Sequence, residues 1–321
     1  MKQLDQSVLN AAKPIRRAGR FAFRCLLFAG IPYLLLCVML GFLQRKLIYH
    51  PFKAARIDIA EAELPDGVIR DIAVTADDGI ELHGWHFVAA NTQSQESPAR
   101  SASKGLQPPL VLYFPGNAAH RKWRVTECDV LTSAGADVFL FDFRGFGDNA
   151  GSPSEEAIAA DARTIWNEVV EKQGIAPERI VLYGESIGGA VAIRLAADMC
   201  AAGTPPGAVI TRSTFSSLVE TAACHYPWLP VRWLLVEHYA SDERIDAVTC
   251  PILMLHGDAD EIVSIWQGRE LFAAASTKSA TGFENRFIEL AGADHNNVLT
   301  THNAEILEAV QEFFAATGLV R

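Results

Sequence analysis

One serine stands in a pattern that is typical of a nucleophile. The segment Gly184-Glu-Ser-Ile-Gly188 has a glycine two residues to either side of Ser186. An apolar run ends at Tyr183 and a helical pattern covers 190–197, so the serine lies between a predicted strand and a predicted helix. A sharp turn there would lift the hydroxyl clear of the backbone, and the glycines would remove side chains that would clash. The segment lacks the glycine patterns of dinucleotide and phosphate loops, which argues against a nucleotide site.

A serine hydroxyl needs a base to take its proton, and the base needs a carboxylate to orient it. Five histidines follow Ser186 in the chain: His225, His238, His256, His295 and His302. His295 comes just after the last predicted strand, 287–290, so its loop would open at the carboxyl edge of the sheet, where open α/β sheets bind ligands. The sequence therefore favours His295 as the base.

The loop after the predicted strand 252–255 carries three acidic candidates, Asp258, Asp260 and Glu261. Their positions alone do not decide which of them orients the base. His256, Asp258 and Asp260 alternate in a way that could also suggest a metal site. Gly257 indicates that the chain has already turned, however, so we expect no metal. The nucleophilic chemistry described above implies no cofactor either.

Short apolar runs alternate with longer segments of helical spacing, which predicts a parallel sheet covered by helices on both faces. Residues 68–75 and 80–88 precede this region and form a predicted antiparallel hairpin, with Asp78-Gly79 as its turn, so the sheet should be mixed. A polar loop is predicted at 91–108. The remaining strands are predicted at 110–114, 138–143, 180–183, 208–211, 252–255 and 287–290. The clearest helices are predicted at 155–171 and 303–317.

Residues 213–245 separate two strands by more than one helix requires. The segment is rich in large apolar side chains, among them Trp228 and Trp233. Two interpretations remain open: a pair of helices packed into the core, or a short helical cap over the active site. Long insertions in compact domains are usually functional, which favours the cap.

Residues 25–43 contain no charge and predict a transmembrane anchor, because nineteen residues of helix measure about 28 Å. A cleaved signal peptide and a buried core helix are the alternatives, but the basic leader, 1–24, is long for a signal peptide. Six Lys/Arg precede the span and four follow it within residues 1–56. This imbalance predicts a cytoplasmic N-terminus and a catalytic domain, 44–321, on the far side of the membrane. We also expect the anchor to contribute nothing to the sheet or the catalytic residues.

Charge is divided unevenly along the chain, whose net charge is −10. Residues 1–56 carry about +9, which leaves about −19 for the rest. An acidic body argues against nucleic acid as a partner, whereas the basic head favours anionic lipid. The six cysteines show no metal-ligand or disulfide-framework spacing.

From about Leu43 onward the chain resembles the α/β-hydrolase superfamily, and within it the membrane-anchored bud-emergence-type hydrolases and related α/β-hydrolase-domain-containing proteins. The resemblance implies the α/β-hydrolase fold and selects Asp260, the fourth residue after His256, as the acid beside Ser186 and His295. It rests on the elbow at Ser186 and on Leu47-Ile-Tyr-His-Pro51, Pro115-Gly-Asn117, Asp142-Phe-Arg-Gly-Phe-Gly147, Tyr226-Pro-Trp-Leu-Pro230, His256-Gly-Asp-Ala-Asp260 and Gly292-Ala-Asp-His-Asn296.

Two positions depart from the family pattern. Pro115 stands where the family has histidine, which puts only the shape of that loop in doubt, because the oxyanion donors would be the backbone amides of Asn117 and Ile187. Asn149 stands where a serine is usual, in a loop that Asp142 and Arg144 are expected to close structurally.

The resemblance implies hydrolysis of an acyl ester or thioester through an acyl-enzyme, with a lipid-like substrate. A peptidase or amidase of the same fold and a catalytically silent, membrane-tethered binding protein are the alternatives. The serine nucleophile argues against dehalogenase or epoxide hydrolase chemistry, which uses an aspartate at this position.

Overall fold

The computed structural model describes residues 21, 23–65, 67–89 and 108–320. Most of the basic leader and nearly all of the polar loop at 91–108 therefore lie outside the described residues. Within the described part, eight strands form one sheet: β1 Ile69–Thr75, β2 Glu81–Phe87, β3 Leu110–Phe114, β4 Asp137–Phe141, β5 Ile180–Glu185, β6 Ala208–Arg212, β7 Ile252–Gly257 and β8 Arg286–Leu290.

The strands follow the order β8-β7-β6-β5-β3-β4-β2-β1 across the sheet. β1 pairs antiparallel with β2, and β2 pairs antiparallel with β4, while the other neighbours are parallel. The hairpin turn contains Gly79 at a φ of +83°, a conformation that glycine adopts without steric cost. The mixed sheet and its N-terminal hairpin are confirmed. Strand β4 ends at Phe141, two residues earlier than predicted, and the carboxylate of the next residue, Asp142, binds Arg121.

Helices cover both faces of the sheet, as predicted. Successive residues of β3 pack on opposite sides: Leu112 joins one core cluster with α3 and α4, whereas Val111 joins the other with α2 and α8. This alternation explains why the central strands are apolar along their whole length. The helices are α1 Ile31–Ile48, α2 Val125–Ser133, α3 Glu155–Asn167, α4 Ile187–Ala201, α5 Leu218–His225, α6 Val231–Leu234, α7 Ile265–Ala274 and α8 Val298–Thr317.

The predicted anchor lies in a helix that runs from Phe23 to Ile48 and includes a π-helical turn at Leu26–Gly30 before α1. It is long and apolar enough to cross a membrane, and only 6% of its most apolar window is buried. A core helix would be covered by the rest of the protein, so this exposure argues against that alternative. The helix extends five residues beyond the predicted end at Leu43.

The last turns of this helix are packed against the segment 213–245. The Gln44 amide donates to the Leu234 carbonyl at 3.1 Å and accepts from the Val236 N–H at 2.7 Å. Arg45 Nε lies 2.7 Å from Glu237 Oε1, and the Glu237 carboxylate is almost fully buried. The helix is therefore not the independent tether that its sequence suggested, because its C-terminal end belongs to the packed domain.

The segment 213–245 is not a pair of core-packing helices. Helix α5 has no buried residue, and α6 buries only Val231. Trp228 and Trp233 are 57% and 90% exposed. The end of α5 instead contacts the loop that follows β7, where His225 Nε2 lies 2.8 Å from the Ile262 carbonyl oxygen. These observations favour the interpretation as a cap, and 213–245 is called the cap segment below.

The contact between α1 and the cap segment generates a stability prediction. The buried Tyr49 hydroxyl donates to Glu237 Oε2 at 2.8 Å and lies 2.7 Å from the Tyr239 hydroxyl. Replacing Tyr49 with phenylalanine should lower the free energy of unfolding by about 1–3 kcal/mol, because it removes a buried hydrogen bond to a carboxylate. Thermal unfolding of the full chain in detergent measures this change. Tyr226→Phe, at an exposed tyrosine, is the control, and equal midpoints for the two variants would contradict the prediction.

Candidate active site

Ser186 occupies the turn between β5 and α4 in a strained backbone conformation, with φ 53° and ψ −117°. Its neighbours must be small, since a Cβ on Gly184 would lie 2.3 Å from the Gly188 carbonyl oxygen, and one on Gly188 would lie 2.0 Å from the Phe114 carbonyl oxygen. The Ser186 N–H donates to the Arg212 carbonyl at 2.8 Å, and Thr214 Oγ1 donates to the Ser186 carbonyl at 2.8 Å. The predicted strand–turn–helix geometry is confirmed.

The structure brings Asp260 and His295 together at the carboxyl edge of the sheet. Asp260 follows β7, His295 follows β8, and His295 Nδ1 lies 2.7 Å from Asp260 Oδ2. The second oxygen, Asp260 Oδ1, accepts hydrogen bonds from the N–H groups of Ile262 at 2.9 Å and Val263 at 2.7 Å. The carboxylate is buried and held by both oxygens, which fixes the orientation of the imidazole.

Asp258 binds a backbone group and not His295. Its side chain is exposed, and Oδ1 accepts from the Gly292 N–H at 2.6 Å, which ties the loop after β7 to the loop after β8. Glu261 is also exposed. Asp260 is therefore the candidate among the three acids whose carboxylate binds His295.

His256 belongs to the same loop but faces the protein interior. Its Nε2 lies 2.8 Å from the Val263 carbonyl oxygen and 3.6 Å from Asp260 Oδ2. Burial lowers the pKa of this imidazole below its usual value. Asp258 binds the Gly292 N–H instead, so its carboxylate does not share the partners of His256 and Asp260.

Ser186, Asp260 and His295 follow the strands β5, β7 and β8, whose carboxyl ends lie on one edge of the sheet. In the part of the chain that the structure describes, the Ser186 hydroxyl donates to no protein group. In the structure, Asp260 therefore binds His295. Ser186 lies on the same edge of the sheet but forms no hydrogen bond with His295.

The two expected oxyanion donors lie on either side of the close contact between β3 and α4. Ile187 is the first residue of α4, where a backbone N–H has no acceptor within the helix. The Asn117 N–H likewise donates to no described residue. The other groups of Asn117 are bonded, because its side-chain Nδ2 donates to the Ile48 carbonyl at 2.7 Å and its carbonyl accepts from the His50 N–H at 2.9 Å.

The expected loop-closing residues have structural partners. The Asp142 carboxylate accepts from the backbone N–H and the guanidinium of Arg121, both at 2.6 Å. Burial raises the pKa of Asp142 to about 6, against the opposing effect of Arg121. Arg144 forms ion pairs with Asp78 and Asp161, and Asn149 Nδ2 donates to the Asp142 carbonyl at 2.6 Å. Asparagine at 149 therefore closes this loop in place of the usual serine.

Glu185 is a residue of the site that the sequence analysis missed. Its carboxylate accepts from Arg124 Nε at 2.9 Å and from the Gly116 N–H at 3.2 Å, and it lies 3.3 Å from Arg212. Burial alone would raise the pKa of Glu185, but the charges of Arg124 and Arg212 outweigh burial and hold the pKa well below its usual range. Glu185 is the residue before Ser186, and its carboxylate thus connects the start of this turn to the loop that carries Asn117. An acidic residue at the centre of a buried strand–turn motif is a signal that could have revealed it.

The chain is similar to known hydrolases in sequence and in structure. A family model described as "Serine aminopeptidase, S33" matches residues 108–234. An uncharacterized protein of Mycobacterium tuberculosis (strain ATCC 25618 / H37Rv) is 38% identical over 277 residues, which cover 86% of this chain and 89% of that protein. The lysophosphatidylserine lipase ABHD12 of Danio rerio is 35% identical over 237 residues, or 68% of this chain and 62% of that protein.

Solved structures agree with the sheet described above. The Pyrococcus furiosus esterase Pf2001 superposes with a TM-score of 0.61 at 18% sequence identity, covering 84% of this chain and 97% of that one. An α/β hydrolase from Vibrio vulnificus superposes with a TM-score of 0.61 at 18% identity, covering 79% and 87%. These matches confirm the α/β-hydrolase fold.

The pairing of Glu185 predicts a pH-dependent stability. Glu185→Gln should lower the free energy of unfolding by roughly 3 kcal/mol at neutral pH, since it leaves Arg124 and Arg212 with less compensating charge. Because the folded pKa is depressed, the carboxylate stabilises the fold above its ordinary pKa of about 4.3 and loses this effect as the pH falls toward the folded value. The difference between wild type and variant, measured by denaturant unfolding, should therefore shrink below about pH 4.

Glu284→Gln is the matched control, because Glu284 forms an ion pair with Lys278 on the exposed surface. It should leave the unfolding midpoint unchanged. A Glu185→Gln variant as stable as this control would show that Glu185 is not needed to compensate the two arginines.

Proposed function

We propose that this chain, which belongs to the α/β-hydrolase superfamily, is a membrane-anchored serine hydrolase that cleaves an acyl ester or thioester of a lipid-like molecule. That it is an esterase- or lipase-type hydrolase follows from its relatives and its fold. The observation that carries the catalytic assignment is the 2.7 Å contact between His295 Nδ1 and Asp260 Oδ2, on the sheet edge that also holds Ser186.

In the proposed mechanism, His295 Nε2 takes the proton of the Ser186 hydroxyl as its oxygen attacks the acyl carbon. Asp260 holds the proton on Nδ1 and stabilises the imidazolium that forms. The imidazolium then gives its proton to the leaving alcohol or thiol, and the acyl group remains on Ser186. A water molecule, deprotonated by His295, attacks the acyl-enzyme, and the acid departs as the Ser186 hydroxyl is restored.

The backbone amides of Asn117 and Ile187 are the proposed donors to the oxygen that becomes negative during attack. Backbone donors that already point at this position require no reorganisation when the charge develops. The Ile187 N–H lies at the N-terminus of α4, where the helix dipole adds to the stabilisation of an anion. The unsatisfied state of both amides among the described residues supports this role.

A substrate with a long acyl chain is favoured by the exposed aromatic residues of the cap segment and by the apolar helix Phe23–Ile48. The Danio rerio relative is a lysophosphatidylserine lipase, and its substrate class, a lysophospholipid ester, is a proposal here because the match spans 62% of that protein. A peptidase is the second candidate, since the matching family model is described as a serine aminopeptidase. A silent binding protein is disfavoured by the presence of Ser186, Asp260 and His295 together.

The proposed location is a membrane, with one span and with the catalytic domain on the side opposite the N-terminus. The exposed apolar helix supports the span, and the basic residues before it support the orientation. No nucleic acid is proposed as a partner, because the body of the chain is acidic.

Ser186→Ala tests the nucleophile. It should abolish labelling by a fluorophosphonate probe and lower turnover of p-nitrophenyl butyrate by on the order of 10³-fold or more, because no other group can form the acyl-enzyme. Thermal unfolding of the variant checks that the fold is retained. Labelling that survives in a folded variant would place the nucleophile elsewhere.

The pair of variants Asp260→Asn and Asp258→Asn tests the acid. Asp260→Asn should reduce kcat by on the order of 10⁴-fold, because the amide cannot hold His295 in the required tautomer. Asp258→Asn removes only the charge that caps Gly292 and should change kcat much less. A larger loss in the Asp258 variant would reverse the assignment.

A further inference from the structure

The apolar part of the membrane helix contains two hydrogen-bonding side chains besides its cysteines. Between Arg24 and Arg45 these are Tyr33 and Gln44. Both bind the backbone of the cap segment: the Tyr33 hydroxyl donates to the Trp228 carbonyl at 2.7 Å, and Gln44 bonds with Leu234 and Val236. The cap segment therefore runs along the helix from Gln44 to Tyr33.

The contact with Tyr33 lies far inside the apolar stretch. Tyr33 lies ten positions before Leu43, the last residue of the predicted span, and this spacing corresponds to about 15 Å of helix. The hydrocarbon core of a bilayer is about 30 Å thick. If residues 25–43 cross the bilayer, Trp228 lies within the leaflet on the side of the catalytic domain.

The backbone of the cap segment can tolerate such a position because much of its hydrogen-bonding capacity is used internally. The Leu229 N–H donates to Tyr226, the Trp233 N–H to Pro230 and the Leu235 N–H to Val231. Pro227 and Pro230 carry no N–H at all. Tyr33 and Gln44 then satisfy further carbonyl and N–H groups, as irregular backbone inside a membrane requires.

The side chains of residues 226–236 also suit a lipid environment. Tyr226, Trp228, Trp233 and Val236 are between 51% and 90% exposed. Arg232 is the single charged residue in this stretch, and it forms an ion pair with Glu220. Moving such exposed apolar surface from water into an apolar environment is favourable.

We propose that residues 226–236 insert into the lipid leaflet beside the anchor, so that the active site takes its substrate directly from the membrane. The inference rests on the proposed membrane anchor. The cap segment is joined to the catalytic loop, because His225 contacts the Ile262 carbonyl and the Ile262 N–H donates to Asp260 at 2.9 Å. The inserted segment is therefore continuous with the loop that carries the proposed catalytic acid.

Tryptophan fluorescence tests this proposal on the full-length protein in lipid nanodiscs. The chain has six tryptophans, and those in the inserted segment should be quenched when ordinary phosphatidylcholine is replaced by a chain-brominated form. Trp228→Phe and Trp233→Phe should each lower the quenched fraction of the emission. Both positions are exposed to solvent in the isolated chain, so the variants should fold. Trp166→Phe, at a residue 3% exposed in the core, is the control and should not lower the quenched fraction.

The outcomes separate this inference from the proposals on which it rests. An unchanged quenched fraction in both variants, with the protein still bound to the nanodiscs after a carbonate wash, would overturn the insertion of the cap segment and leave the anchor standing. Loss of the protein from the nanodiscs in that wash would overturn the anchor and the insertion together. Fluorophosphonate labelling of Ser186 reports on the chemistry in either case.

Discussion

The close approach of β3, β5 and α4 at Ser186 is the contact on which the rest of the site depends. With φ at 53°, the chain reverses from strand to helix within one residue, and the start of α4 comes into contact with the Phe114 carbonyl. Such a turn is strained for a residue with a side chain and persists only where its surroundings hold it. Here the Arg212 carbonyl and the Thr214 hydroxyl bind the two backbone groups of Ser186. The same approach sets the first amide of α4 beside the loop that carries Asn117.

Buried charged residues next to this turn form a network, which is called the buried-charge layer here. Glu185 and Glu127 lie among Arg124 and Arg212, and the Tyr113 and Tyr183 hydroxyls donate to Glu127. The desolvation of such charges offsets most of their attraction, so the layer adds little to the net stability of the fold. Its hydrogen bonds have fixed directions, however, and they join β5, β6 and the loop after β3. The layer therefore holds β5, β6 and the loop after β3 in fixed positions relative to one another.

The parts of the fold that are encoded by local patterns could be predicted from the sequence. The buried strands are apolar along their length, and the turn at Ser186 is bounded by glycines that its geometry requires. The choice of Asp260 over Asp258 came from a family resemblance, because its physical basis is a pairing with His295 and Gly292, more than thirty residues away. The cap segment is hydrogen-bonded to Tyr33, Gln44 and Arg45, which lie about 190 residues earlier in the chain. No periodicity in the sequence indicates contacts between such distant residues.

The helix Phe23–Ile48, which is proposed to cross the membrane, forms one connected unit with the cap segment and with the loop that carries Asn117. The carbonyl of Ile48, the last residue of α1, accepts from the Asn117 side chain, and the next residues, His50 and Pro51, pair in parallel with Ala118 and Ala119. Tyr49 and Arg45 bind Glu237 at the end of the cap segment. A rigid helix that contacts both the cap segment and the loop that carries Asn117 fixes their orientation relative to its own axis. The orientation of the site toward a bilayer would then follow from the tilt of the anchor, and a truncation at residue 44 would remove part of the support of the cap along with the membrane attachment.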